Sequence, residues 1–163
     1  MIYIIDHKDS FTHNVVHQFQ KFDNVVCDNY NEINEKKIKK ANVIVLSPGP
    51  GAPKNYPITS RIYKKFKGKK KIIGICLGFQ QILYCEKGKI IEQNKIYHGF
   101  QSQIKVTSKN SLFRKNRNFR VGRYHSLKLK EPFDAKNFEI TMRCVISNTA
   151  MTIENNKEKI YGF

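Results

Sequence analysis

Gly74-Ile75-Cys76-Leu77-Gly78 sets one thiol between two glycines, where an apolar run (71–75) gives way to a helix-like pattern (77–85). The G-x-C-x-G layout is that of the G-x-S-x-G nucleophile elbow with sulfur in place of the hydroxyl. A helix N-terminus offers unpaired N–H groups and positive potential, which favours thiolate over thiol. The amide that follows the nucleophile can stabilise a tetrahedral oxyanion. The pattern therefore predicts nucleophilic acyl chemistry at Cys76, with a buried inert cysteine as the alternative. Cys27, Cys85 and Cys144 lie in strand or helix-face contexts and are expected in the core.

A second unusual turn is LSPGPGAPKNYP (46–57). Its prolines stiffen the loop, and its glycines let backbone amides approach a ligand without side-chain obstruction. The order G-x-x-x-x-G-K-[ST] is absent, so it is not a phosphate-binding P-loop. A rigid turn and an anion-stabilising loop both remain open for it.

These turns need elements to hold them. MIYIID, NVVCDNY, NVIVLS and KIIGI read as short buried strands. Between them lie helical patterns in DSFTHNVVHQFQKF, INEKKIKK and ITSRIYKKFK, with LGFQQILYC after the last. In the first helix, Phe11, Val15, Phe19 and Phe22 recur at helical spacing, and Asp9 or Ser10 can cap it. The β-α alternation predicts a doubly wound, mostly parallel α/β sheet covered on both faces. SQIKVT, NFRVGRYH, SLKLK, NFEITMRCVIS, TAMTIENN and KIYGF read as short strands added antiparallel. In such sheets ligands bind at the carboxyl ends of strands, where both turns fall.

With 163 residues a single domain spanning 1–163 is expected. The four cysteines form neither a disulfide framework nor a zinc pattern, and no metal site is expected. His13 and His17, four apart on the first helix, have no further ligands nearby and are expected at the surface. The N-terminus lacks the features of a signal peptide, no stretch reaches membrane-spanning length, and a cytoplasmic protein with reduced thiols is expected. Thirty Lys+Arg against thirteen Asp+Glu give +17. Apart from KKFKGKKK (64–71) these charges are dispersed with no nucleic-acid-binding motif, so a solvated basic surface is the main reading and a nucleic-acid partner the lesser one.

DHKDSFTHN, LSPGPGAP, GICLGFQQI, RYHSL and the terminal YGF, in this order along the chain, together resemble the class I glutamine amidotransferases, in the branch that serves chorismate-using synthases. The resemblance implies a flavodoxin-like fold and a glutaminase that hydrolyses the glutamine side-chain amide through a Cys76 thioester. It implies that the Gly51 and Leu77 amides form the oxyanion hole, and that Gly49, Pro50, Gly51, Gln80, Ser126 and Leu127 line the glutamine site. No cofactor is implied on this chain. Chorismate and Mg²⁺ would belong to a synthase partner that receives the ammonia, with product either anthranilate or aminodeoxychorismate. PGPGAPKNYP and the surface around His98 are expected near that partner, and His125 in the substrate loop. Family members run on from the last strand into a Q-F-H-P-E-S-like segment, whose His and Glu complete a Cys-His-Glu triad, and then into a closing helix. The sequence ends at Phe163, so a C-terminally incomplete amidotransferase domain with impaired hydrolysis is expected. A non-catalytic subunit of the same fold is the alternative. Phe79 stands where many members have His.

Overall fold

The computed structural model describes residues 1–93 and 95–163. Its first half alternates β1 (Ile2–Asp6), α1 (Thr12–Gln20), β2 (Val25–Asn29), α2 (Glu35–Lys40), β3 (Val43–Leu46), α3 (Pro57–Phe66), β4 (Lys71–Gly74) and α4 (Leu77–Cys85), with a 3-10 turn at Pro53–Asn55. Seven strands follow: β5 (Lys89–Glu92), β6 (Phe100–Val106), β7 (Asn118–Arg123), β8 (Leu127–Lys130), β9 (Glu139–Cys144), β10 (Ala150–Asn155) and β11 (Ile160–Gly162). Nine strands form one sheet in the order β2-β1-β3-β4-β11-β10-β9-β6-β7. Pairing is parallel from β2 through β11 and antiparallel beyond.

Alternation along β1 sorts its side chains between two layers, as a pleat requires. Tyr3 and Ile5 join Ile44, Leu46 and Ile72 beneath α2, α3 and α4, which contribute Ile38, Ile62, Tyr63, Phe66, Ile82 and Leu83. Ile2 and Ile4 join Val45 on the other face, under Val15, Val16 and Phe19 of α1. Both faces are thus covered, as expected for a doubly wound sheet. A third cluster, Ile104, Val106 and Met142 with Phe113 and Phe119, consolidates the antiparallel wing.

Three local expectations change. Phe11 and Phe22 do not belong to the apolar stripe of α1: they lie outside its ends and are 56% and 83% exposed. The β1–α1 turn is instead tied by Asp9, whose Oδ1 accepts from Phe11 N–H, and by Asp6, whose Oδ1 accepts from Thr12 Oγ1 and Lys8 N–H. SLKLK does not extend the main sheet. As β8 it pairs antiparallel with β5, a strand the pattern did not reveal, and the two form a separate ribbon packed on α4. Cys27 is exposed, because its side chain points outward from the half-covered strand β2; Cys144 is buried and Cys85 half-buried.

Three glycines bring α4 onto the sheet. A Cβ at Gly78 would lie 2.2 Å from the Leu46 carbonyl oxygen, and one at Gly74 would lie 2.4 Å from the Gly78 oxygen. A Cβ at Gly162 of β11 would meet the Phe79 ring at 2.6 Å, so Phe79 is a packing residue over the sheet. Because the obstacle at Gly78 is backbone, Gly78→Ala is expected to cost about 3 kcal/mol of stability. Gly122→Ala, whose nearest obstacle is the exposed Tyr124 ring at 3.3 Å, should cost under about 1 kcal/mol. Urea unfolding midpoints of the two variants check the difference.

Candidate functional site

Cys76 occupies the turn between β4 and α4 with φ 54° and ψ −104°. A side chain other than glycine rarely adopts positive φ, and such strain at a functional group persists only when its surroundings over-determine it. They do so here. Cys76 N–H donates to the Phe163 carbonyl at 2.8 Å, Phe163 N–H donates to Gly74 O at 2.8 Å, and Gln80 N–H donates to Cys76 O at 3.1 Å. The turn is thereby fixed to β11 on one side and to α4 on the other.

The thiol is half-buried, and burial pushes it above its ordinary range. The Leu77 N–H against the sulfur pulls the other way, and the Asp9 carboxylate adds to the upward push. The helix N-terminus is expected to favour the thiolate; here desolvation outweighs the Leu77 amide and favours the thiol. Ionisation must be coupled to a base.

The 48–51 loop follows β3, adjacent to β4 in the sheet. Gly49 is wedged between His7 and Leu77; a Cβ there would lie 2.5 Å from His7 Cβ and from Leu77 Cδ2. This contact brings the loop against the residue that follows Cys76. Gly51 takes φ +74°, and its N–H donates to no protein group among the described residues. Asn55 Oδ1 accepts from Ala52 N–H at 3.0 Å, and Tyr56 Oη donates to Pro50 O at 2.8 Å, so the loop is pinned from both sides.

His7, fully buried, braces this loop from beneath. Its N–H donates to Ser47 Oγ, its Nδ1 lies 3.1 Å from Ser47 O and its Nε2 lies 3.0 Å from Thr59 Oγ1. A carbonyl can only accept, so Nδ1 carries the proton and Nε2 accepts from Thr59. Burial pushes the ring down to about 4. Tyr56 packs edge-on against it at 4.7 Å between centroids. Residue type alone did not indicate this role, because its partners lie 40 and 52 positions away.

Gln80, one turn into α4, is buried, and its carboxamide makes no hydrogen bond among the described residues. Ser126 and Leu127 sit at the mouth of the β5–β8 ribbon, Ser126 exposed and its carbonyl held by Gln93 N–H at 2.7 Å. The ring of the adjoining Tyr124 lies 6.2 Å from Phe11, at the entrance to α1, which brings the RYHSL turn to the β1–α1 loop. Among the described residues no hydrogen bond joins Ser126 or Leu127 to Cys76. His13, His17 and His98 are exposed, no histidine is hydrogen-bonded to Cys76, and no group of three metal-ligating side chains occurs among the described residues. No helix among them is long and apolar enough to cross a membrane. Gln93, Asn55 and Tyr56 escaped the sequence reading; of these only Asn55 and Tyr56 lay in a stretch, PGPGAPKNYP, already singled out.

A strained cysteine at a strand-to-helix turn, facing a glycine loop on the neighbouring strand, is an architecture shared with known proteins. Residues 3–163 match the family Glutamine amidotransferase class-I, and the chain belongs to it. It is 38% identical to anthranilate synthase component 2 of Lactococcus lactis over 99% of this chain and 83% of that protein. It is 32% identical to the same component of Vibrio parahaemolyticus over 99% of this chain and 84% of that protein. A solved glutamine amidotransferase from Thermotoga maritima shares the fold, with a TM-score of 0.75 at 16% identity over 99% of this chain and 73% of that one.

The brace under the loop makes stability depend on pH. In the unfolded chain His7 takes up a proton near its ordinary 6.5, whereas in the fold it stays neutral to about 4. Between these values the unfolded state binds more protons, so stability falls as pH falls. By pH 4.5 the loss attributable to His7 is roughly 2–3 kcal/mol. Urea unfolding at pH 7.5 and 4.5 should show a decline flatter by that amount in His7→Gln than in the unchanged chain.

Proposed function

We propose that this chain is a glutaminase subunit that hydrolyses the side-chain amide of glutamine and passes ammonia to a chorismate-using synthase. The observation that carries this is the Cys76 elbow, a half-buried thiol held at positive φ beside the Leu77 amide, with the Gly51 amide, unpaired among the described residues, on the facing loop. The names of the similar proteins, anthranilate synthase component 2, favour anthranilate as the product of the complex.

In this reading Cys76 Sγ attacks the amide carbonyl carbon as its proton leaves for a base. The carbonyl oxygen becomes an oxyanion facing the Leu77 and Gly51 amides, where each donor is worth roughly a hundredfold in rate or more. Collapse breaks the C–N bond, the departing nitrogen takes the proton, and ammonia leaves a thioester. Water, deprotonated by the same base, then cleaves the thioester to glutamate and the free thiol. Gln80 and the 126–127 turn hold the substrate, with Gly49 and Pro50 shaping the loop opposite.

Because burial holds the thiol protonated, the base is indispensable, and the geometry supports one position for it. β11 runs parallel to β4, and Phe163 is bonded to both Gly74 and Cys76, so residues following Phe163 in a longer chain emerge beside the sulfur. A His-Glu pair carried there would reach Cys76. The similar proteins are longer than this chain, which spans 83% of one and 84% of the other.

Ammonia release from glutamine is the direct test. Residues 1–163 alone should release it at least about a thousandfold more slowly than a chain extended by an F-H-P-E-type segment and closing helix, and Cys76→Ala should abolish the extended form's activity. Substantial Cys76-dependent release by residues 1–163 would place the base on His125 or His98 instead. In peptide mapping after treatment with the chloroketone analogue of glutamine, Cys76 should be alkylated before Cys27, Cys85 and Cys144, although Cys27 is the more exposed. First labelling of Cys27 would contradict a substrate-guided site.

A further inference from the structure

Arg123 ends β7 and is 1% exposed, the largest fully buried side chain among the described residues. A guanidinium cannot lose its charge, and burying it without a carboxylate is costly unless its donors are met. No ion pair to Arg123 occurs among the described residues. Its donors go to neutral groups: Nε to His125 Nε2 at 3.1 Å, Nη2 to Gln93 Oε1 at 3.0 Å, and Nη1 to Cys144 Sγ and Ser147 Oγ at 3.5 Å each. The Tyr97 ring covers its face, 3.6 Å from Cζ.

Two of these bonds fix the protonation and orientation of their partners. Arg123 Nε only donates, so His125 Nε2 must present a lone pair and the ring proton must sit on Nδ1. Nδ1 lies 2.7 Å from Leu127 O and donates to it. Likewise Gln93 must turn Oε1 to Arg123, which leaves Nε2 as the donor to His125 O at 3.0 Å and Leu127 O at 3.3 Å; Nε2 also lies 2.8 Å from His125 Nδ1, a contact that is no hydrogen bond while Nδ1 keeps its proton for Leu127 O. Gln93 N–H holds Ser126 O at 2.7 Å. All three successive carbonyls of the 125–127 turn are therefore drawn onto Gln93 and His125. Ser126 is exposed, and its N–H and Oγ make no hydrogen bond among the described residues.

We propose that Arg123 is a positioning residue for the glutamine site, setting the tautomer of His125 and the amide orientation of Gln93 so that these hold the carbonyls of residues 125–127 inward and present Ser126 to substrate. This rests on the reading of Ser126 and Leu127 as glutamine-binding. The charge, not merely the volume, is what the turn uses: only an obligate donor forces both neighbours into the one arrangement that closes it.

Two measurements on the 163-residue chain test it. Nitrogen-15 NMR of the imidazoles should show His125 neutral with the proton on Nδ1 at pH 7, and Arg123→Met should convert it to a mixture of tautomers. A His125 protonated on Nε2 in the unchanged chain, or an unaltered tautomer in the variant, overturns the proposal. The second measurement is the concentration of the chloroketone analogue of glutamine that half-saturates alkylation of Cys76, against the maximal rate. Gln93→Glu supplies Arg123 with a carboxylate, which favours the fold, but removes the donors to His125 O and Leu127 O. It should raise half-saturation about tenfold and leave the maximal rate within about twofold. Equal half-saturation in Gln93→Glu and the unchanged chain overturns the positioning role, whether or not Arg123→Met folds. Alkylation that does not saturate in the unchanged chain counts against the glutamine site itself, and the His125 ring then decides the role of Arg123 independently.

Discussion

The approach of α4 to the sheet is backbone against backbone, and everything at the site depends on it. Gly78 rests on the Leu46 carbonyl and Gly74 on Gly78, so the helix starts closer to β3 and β4 than any side chain would allow. That proximity forces the chain to reverse within a few residues, and Cys76 absorbs the reversal in a positive φ. Holding such a conformation costs about 1–3 kcal/mol, offset by the apolar burial of Leu77, Ile82 and Leu83 in the layer behind it. The same closeness sets Leu77 against Gly49 and so fixes the distance between the elbow and the loop that faces it.

Around this strained turn, the polar groups that shape the site are imidazoles and amides with their protons assigned by their neighbours. His7 under the 48–51 loop and His125 under the 125–127 turn both carry the proton on Nδ1 and give it to a backbone carbonyl. Both are held below the ordinary histidine range by burial, and His125 also by Arg123. Each ring thus acts as a neutral, directional spacer between loops from different strands. A charged imidazole is disfavoured at His7 by burial and at His125 also because its second N–H would face the obligate donor Arg123 Nε.

The sheet order of the first half was legible because each strand is a short apolar run punctuated by glycine, proline or asparagine, and each helix has its own period. The elbow was legible because few sequences place glycines two positions either side of a cysteine without needing the tight turn. What stayed hidden depends on partners distant in the chain. Lys89–Glu92 becomes a strand only because Leu127–Lys130 pairs with it, and two isoleucines between charged residues carry no period. In a chain with thirty basic residues an arginine reads as solvated surface, so the burial of Arg123 had no local sign. Phe11 and Phe22 fit the helical spacing but lie beyond helix ends set by Asp9 and by the turn into β2, and spacing cannot see where a helix stops.

β11 enters the sheet between β4 and β10, in its interior, although it comes from residues 160–162. Strand β4, some ninety residues earlier, keeps an open edge until that insertion, and closing so long a span is slow because its chain entropy must be surrendered before the contacts form. The bond from Cys76 N–H to Phe163 O belongs to the same event. The Cys76 turn is therefore a late product of folding. A ribosome-bound chain that has already emerged through α4 still lacks it, and the thiol acquires its strained setting only when the sheet around it is whole.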